Sequence, residues 1–108
     1  MIEYTPLRSD QLGVIKIPNT KLKFVFGMYP MKALDQTPSL GGYTKTISFK
    51  KYEFSDNPLW TVVTSSYPLG HPKCNVLSTT QNTITLWGDV NVSDAYLAWG
   101  VLGVDKIL

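Results

Sequence analysis

The chain has 108 residues, of which 44% are hydrophobic, 12% aromatic and 17% charged. This length and composition suit one compact domain and exclude a disordered chain. The formal net charge of +2 is too small for the dense basic surface of a nucleic-acid-binding protein. One cysteine, Cys74, cannot form an internal disulfide, and with the single histidine, His71, it cannot complete a zinc site within one chain. We therefore expect no cofactor and no metal.

The N-terminal region carries no targeting or membrane signal. No run of about 18 apolar residues occurs, and the first residues lack the basic and apolar segments of a signal peptide. We therefore expect no membrane insertion. Residues 1–13 show no periodicity, which indicates an extended arm or lead-in, and residues 14–108 are expected to form the single domain.

The composition favours strands over helices. Thirteen aromatic residues, eleven Thr and eight Ser accompany few strong helix formers, which is typical of an all-β chain. Short alternating runs separated by turn residues predict a small antiparallel β-sandwich of six or seven strands. The runs cover residues 21–26, 43–50, 59–65, 73–79, 82–87 and 95–104. Residues 28–42 are too long and irregular for a hairpin, and we expect an excursion with at most one helical turn.

The last run, 95–104, is apolar on both of its alternating faces. In a two-sheet sandwich one face packs on the opposite sheet, and the other meets water unless something covers it. Two interpretations remain open: a second chain covers this face, or the excursion at 28–42 folds back over it.

Three motifs carry a resemblance to a known family. Residues 17–22 lead to Phe26 and Gly27, residues 45–49 precede Phe54 and the strand at 58–64, and residues 96–100 read Tyr-Leu-Ala-Trp-Gly. In this order they resemble the C-terminal receptor-binding knob domain of tailed-bacteriophage tail fibres. That family is a small β-sandwich whose architecture is similar to that of H-type lectins. Its opening turn usually has Gly where this chain has Thr20, and Trp where it has Phe26.

The resemblance implies a homotrimer at the tip of a virion tail fibre, made in the host cytoplasm without a signal peptide. It also implies recognition of a host surface glycan or protein. Trp60 and Trp99 are expected in the core or at trimer contacts, because apolar strand residues surround both. The predicted trimer interface consists of Trp99, Leu97, Val101 and Trp60. A structural trimerisation or assembly domain without its own ligand is the alternative function.

Glycan-binding modules combine aromatic faces with short polar side chains on rigidly held loops. Trp87 falls on the polar face of its strand and is expected to be partly exposed, either as a ligand contact or as a trimer or edge contact. The Pro-stiffened turn at 65–73 is the preferred specificity loop. The predicted ligand-binding residues are Trp87, Tyr67, His71, Ser66, Asn57 and Asp89.

The sequence contains no Gly-x-Ser-x-Gly elbow, phosphate-binding loop or His-Glu-x-x-His pair, so we expect no catalytic residues and no enzyme activity. A small glycan hydrolase is the second alternative, using either Cys74 with His71 or the carboxylates of Asp89 and Asp94. A metal held by three copies of His71 on a threefold axis is a further alternative.

Overall fold

The protein is an antiparallel β-sandwich. The computed structural model describes residues 2–3 and 12–106. In that part of the chain, eight strands of three or more residues and one two-residue strand form two sheets. The strands are β1 (Ile2–Glu3), β2 (Leu12–Lys16), β3 (Leu22–Pro30), β4 (Asp35–Thr37), β5 (Gly42–Ser48), β6 (Trp60–Ser66), β7 (Cys74–Thr79), β8 (Thr83–Gly88) and β9 (Tyr96–Val104).

The two sheets have the strand orders β1-β2-β3-β9-β6 and β4-β5-β8-β7. We call them the five-stranded and the four-stranded sheet. The all-β sandwich predicted from the sequence is confirmed, with more strands than the six or seven expected. β4 was not predicted because it is a polar edge strand of three residues. β2 was not predicted because apolar and polar residues do not alternate regularly in its sequence, LGVIK.

Residue 1 and residues 4–11 of the predicted arm lie outside the described residues. The rest of the arm is paired: β1 runs antiparallel to β2, with Ile2 opposite Ile15, and Leu12 and Gly13 pair with β3. No helix in the described residues is long and apolar enough to cross a membrane.

The core lies between the sheets and is centred on aromatic rings. Phe49 stacks on Trp99 with ring centroids 6.1 Å apart, and it meets Phe54 edge-on at 5.7 Å. Both phenylalanines are fully buried. β8 adds Ile84 and Leu86 from the opposite sheet. Apolar side chains on the inner faces of both sheets therefore form the core.

The excursion at 28–42 closes one end of this core. β3 continues to Pro30, and two 3-10 turns, at Met31–Ala33 and Pro38–Leu40, flank β4. The expectation of at most one helical turn is therefore wrong, since two short turns are needed to carry the chain from one sheet to the other. The Met31 N–H donates to the Ala95 carbonyl at 2.8 Å, and the Met31 side chain is fully buried.

Because the excursion closes the end of the sandwich, it leaves the outer face of β9 uncovered. Tyr96 remains 42% exposed, and Ala98 is also exposed. The interpretation in which residues 28–42 fold back over that face is therefore wrong.

Candidate functional site

The outer face of the four-stranded sheet is lined by hydroxyl groups, and we call it the hydroxyl face. Partners in an antiparallel pair share a face, so the register sets Thr44 beside Trp87 and Thr46 beside Thr85. The hydroxyls of Thr46 and Thr85 lie 2.9 Å apart, and those of Thr37 and Thr44 lie 2.7 Å apart. A rigid hydrogen-bonded array of short polar side chains therefore surrounds Trp87.

Trp87 is half-buried, in agreement with its expected partial exposure. Its indole lies against the backbone of Gly42, at the start of β5, and a Cβ at that position would overlap the indole nitrogen and its fused ring. Glycine is therefore required for the indole to approach the sheet so closely. The contact holds the aromatic ring in one place on the hydroxyl face.

A small polar hollow of about 210 Å³ opens beside Gly42. Its walls include Gln36, Tyr43 and Asp89. The Asp89 carboxylate accepts the Lys73 N–H at 3.1 Å, which fixes its position. Trp87 and Asp89, both predicted from the sequence, are thus brought together around Gly42. Sequence reasoning missed Gln36 because its strand, β4, was not predicted.

The predicted specificity loop lies at the same end of the sandwich. The Asp89 N–H donates to the Lys73 carbonyl at 3.2 Å, which ties the end of β8 to the end of this loop. Tyr67 is half-buried and packs against the core, whereas Ser66 and His71 are exposed. These three residues border the end that holds the polar hollow, but none of them lines it.

Asn57 lies at the opposite end of the sandwich. Its loop is fixed by the Ser55 N–H, which donates to the Val104 carbonyl at 3.0 Å, at the C-terminal end of β9. Asp89 precedes the N-terminal end of the same strand. The structure therefore separates Asn57 from the other predicted ligand residues by the length of β9, and a ligand-binding role for Asn57 stays a prediction.

The outer face of the five-stranded sheet is apolar, and we call it the apolar face. The Phe24 and Phe26 rings stack at 5.8 Å, and the Phe24 ring covers Gly100, where a Cβ would overlap it. Trp60 is 54% exposed at the edge of this face. The outward positions of β3, β9 and β6 also include Met28, Ala98, Leu102, Val62 and Thr64. None of the residues named on this face carries a charge.

The predicted trimer interface needs a correction. Leu97 and Val101 are fully buried and Trp99 is 3% exposed, because all three point inward and are covered by the opposite sheet of the same chain. Only Trp60 of the four predicted residues lies on the surface. If β9 contacts another chain, it does so through its outward-facing residues, such as Tyr96 and Ala98.

The structure shows the surroundings of three side chains proposed for the alternative hydrolase: Cys74, Asp89 and Asp94. Burial raises the pKa of the Cys74 thiol, the hydrogen bond with Ser65 lowers it by a smaller amount, and the charge of Asp89 adds a still smaller rise, so the pKa is raised. A nucleophilic thiol needs a lowered pKa instead. Asp94 is exposed, while the Asp89 carboxylate is used in holding Lys73. Among the residues described, no group of three or more His, Cys, Asp or Glu side chains could hold a metal ion.

Comparisons with protein-family models, with curated proteins and with solved structures find no match for this chain. Its class is therefore defined by its own geometry. It is a small antiparallel β-sandwich with one apolar and one hydroxyl-lined outer face.

Proposed function

We propose that this chain is a non-catalytic receptor-binding domain of a phage tail fibre, which acts as a homotrimer on the virion and binds a glycan on the host surface. The observation that carries the proposal is the position of Trp87. Its indole is held against Gly42, among the hydroxyls of β5 and β8 and next to the polar hollow. The sequence resemblance to tail-fibre knob domains supports the same function.

A glycan suits this surface for a physical reason. Sugar rings present an apolar C–H face that packs on an aromatic side chain, and their hydroxyls need nearby donors and acceptors. Thr44 and Thr85 supply hydroxyls beside the indole, and Gln36 and Asp89 supply polar groups in the hollow. Because the strands hold these groups in place, little conformational entropy is lost on binding.

Self-association is supported by the apolar face. The residues named on this face carry no charge and offer nothing to a charged partner, whereas copies of this face from identical chains can pack together and exclude water. Three linked copies would also engage a repetitive cell surface together, which multiplies a weak affinity for a single site. We therefore take further copies of this chain as the partner of the apolar face.

The apolar face by itself also favours the second candidate, a structural trimerisation domain without a ligand. The two candidates differ at the hydroxyl face. Only a receptor-binding domain requires Trp87 for adhesion.

The experiment is a glycan array, together with adsorption to intact host cells, using the fluorescently labelled wild type, Trp87→Ala and Leu77→Ala. Leu77 is an exposed apolar residue on the same sheet, 42% exposed, and serves as the matched control. Loss of stacking should weaken glycan binding at least about tenfold in Trp87→Ala, equivalent to about 1.4 kcal/mol. Leu77→Ala should bind like the wild type.

Wild-type protein that binds neither glycans nor cells would favour the structural domain. Equal binding by Trp87→Ala and the wild type would remove the site from the hydroxyl face.

A further inference from the structure

A groove of about 460 Å³ lies at the end of the sandwich opposite the polar hollow, and we call it the basic groove. Five lysines line it: Lys16, Lys23, Lys50, Lys51 and Lys106. Among the described residues that line the groove, only two carboxylates, Glu53 and Asp105, accompany them, so the positive charges are in excess by three. That local excess is larger than the formal charge of the whole chain, +2. The basic character of the protein is therefore concentrated in this groove.

Both carboxylates of the groove are already paired with lysines. The Lys23 ammonium lies 2.8 Å from Asp105, and the Lys106 ammonium lies 2.8 Å from Glu53. The Asn82 side-chain amide donates to the second Glu53 oxygen at 3.0 Å. The hydrogen bond and charge of Lys106 lower the pKa of Glu53, so this carboxylate stays ionised and paired.

Lys50 and Lys51 supply two of the three excess positive charges. Both are exposed, and neither forms a salt bridge to any residue that the structure describes. They lie on a 3-10 turn, Lys50–Tyr52, that follows the fully buried Phe49. The Tyr52 N–H donates to the Phe49 carbonyl at 2.7 Å, which closes the turn.

The segment that carries these lysines is anchored at both ends. On one side the Phe49 N–H donates to the Asn82 carbonyl at 2.8 Å, and on the other the Phe54 N–H donates to the Gln81 carbonyl at 2.9 Å. The Lys51 ammonium lies 5.4 Å from the centre of the Tyr52 ring, a cation–π contact that limits where its charge can go. Two ammonium groups are therefore presented to the groove from a fixed backbone.

We infer that the basic groove binds the acidic group of an anionic saccharide, which is a carboxylate, sulfate or phosphate carried on a sugar. The inference that the ligand is anionic follows from the charge of the groove alone, whereas the inference that the ligand is a saccharide rests on the proposed function. The volume lies in the range of small-ligand sites, about 300 to 1,000 Å³. An adjoining hollow of about 480 Å³ adds Lys21 and the amide of Gln81, so the surface extends beyond one sugar unit.

Among the residues described, the excess of positive charge lies at one end of the molecule, because the charges at Lys32, Lys45 and Lys73 are balanced by Asp35, Asp89 and Asp94. Nucleic acid is bound instead by a basic stripe along a domain. The opposite end carries Trp87 and the polar hollow, so the inferred site is separate from the hydroxyl-face site. A single extended glycan could reach both only if it followed the four-stranded sheet along β8.

The experiment is isothermal titration calorimetry of the full chain with three probes of one length: a tetragalacturonate, a heparin-derived tetrasaccharide and neutral maltotetraose. The variants are Lys50→Gln/Lys51→Gln and, as a control of equal charge change, Lys32→Gln/Lys45→Gln, which lies outside the groove. All the substituted lysines except the half-exposed Lys45 are exposed, so both variants should fold.

We expect the wild type to bind at least one acidic tetrasaccharide more than tenfold tighter than maltotetraose. The Lys50/Lys51 variant should lose at least tenfold of that affinity, and the Lys32/Lys45 variant should keep it. Binding should weaken between about 50 and about 200 mM salt, because the interaction is between charges. Trp87→Ala should bind the acidic probes like the wild type, so failure of the basic groove and failure of the proposed glycan site are distinguishable.

Four results would overturn the inference. They are no binding of either acidic probe, equal losses in the two double variants, inorganic phosphate binding as tightly as the acidic saccharides, and a single-stranded tetranucleotide binding more tightly than both.

Discussion

The ammonium of Lys23 lies 2.8 Å from the carboxylate of Asp105, and the two side chains differ sharply in exposure: 4% for the lysine and 27% for the aspartate. Lys23 also donates to the Glu53 carbonyl at 2.9 Å and lies 5.2 Å from the centre of the Phe54 ring. A buried ammonium is costly unless it is paired and hydrogen-bonded. Asp105, which directly follows β9, and the Glu53 carbonyl before Phe54 therefore make the buried lysine of β3 tolerable.

Asp105→Asn should destabilise the fold because it leaves the buried Lys23 ammonium without its counter-charge. We expect a loss of about 1.5 to 3 kcal/mol in the free energy of unfolding, the usual range for a hydrogen bond to a charged group. The control is Asp35→Asn, which breaks the exposed Lys45–Asp35 pair of 3.4 Å and should cost less than about 1 kcal/mol. Urea unfolding followed by tryptophan fluorescence measures both, and equal losses would show that Lys23 does not depend on Asp105.

The stability of the fold should also fall in acid. Burial alone would raise the pKa of Asp105, but the hydrogen bond and charge of Lys23, with the charge of Lys16, outweigh burial, so the pKa is lowered. The pKa of Glu53 is also lowered, mainly by the hydrogen bond and charge of Lys106. Lowered carboxylate pKa values stabilise the native state fully above the unfolded-state values of about 4, and this stabilisation is lost as the pH falls through the native values. Urea midpoints should therefore decline below about pH 5. Asp105→Asn should flatten that decline, and an unchanged slope would contradict the assignment.

The alternation of β3 was visible in the sequence, but the side that faces the core was not. Leu22, Phe24 and Phe26 form the more apolar set, yet they point outward, and Lys23 and Val25 point inward. The partner that permits a buried Lys23 is Asp105, near the other end of the chain. The same ambiguity led Leu97, Trp99 and Val101 to be predicted at an interface, because β9 is apolar on both faces. Periodicity thus defines strands and leaves long-range pairing undetermined.

Some features of the candidate sites likewise follow from local sequence, and others depend on contacts between distant segments. The half-burial of Trp87 follows from its position among threonines on an alternating strand, which is local information. The contact with Gly42 and the basic groove are not local. Lys16, Lys50 and Lys106 come from three distant segments, and only the strand order β2-β3-β9 with the β5–β6 connection brings them together.

Gly103→Ala should destabilise the core. A Cβ at this position would lie 2.7 Å from a ring carbon of Phe54, which is fully buried against Phe49 and has no room to move. Overpacking of this kind costs about 1 to 3 kcal/mol. Gly70→Ala is the control, since a Cβ there meets nothing within 4 Å. Chemical denaturation of the two variants tests this, and a Gly103→Ala protein within about 0.5 kcal/mol of the wild type would show that the Phe54 ring can shift.

Met28→Lys should dissociate the proposed homotrimer without unfolding the chain. Met28 is 37% exposed on the apolar face, so a lysine there is solvated in a single chain and loses its water only when another copy covers it. A penalty of about 2 kcal/mol or more raises the dissociation constant at least about thirtyfold. Leu69→Lys is the control, because Leu69 is 83% exposed in the turn between β6 and β7, away from this face.

Sedimentation velocity at micromolar concentration should then give trimers for the wild type and Leu69→Lys, and monomers for Met28→Lys. The Met28→Lys monomer should still unfold in a cooperative thermal transition, at a lower midpoint than the trimer because association stabilises the native state. A monomeric wild type would contradict the proposed homotrimer. Trimeric Met28→Lys would place the interface elsewhere than the apolar face.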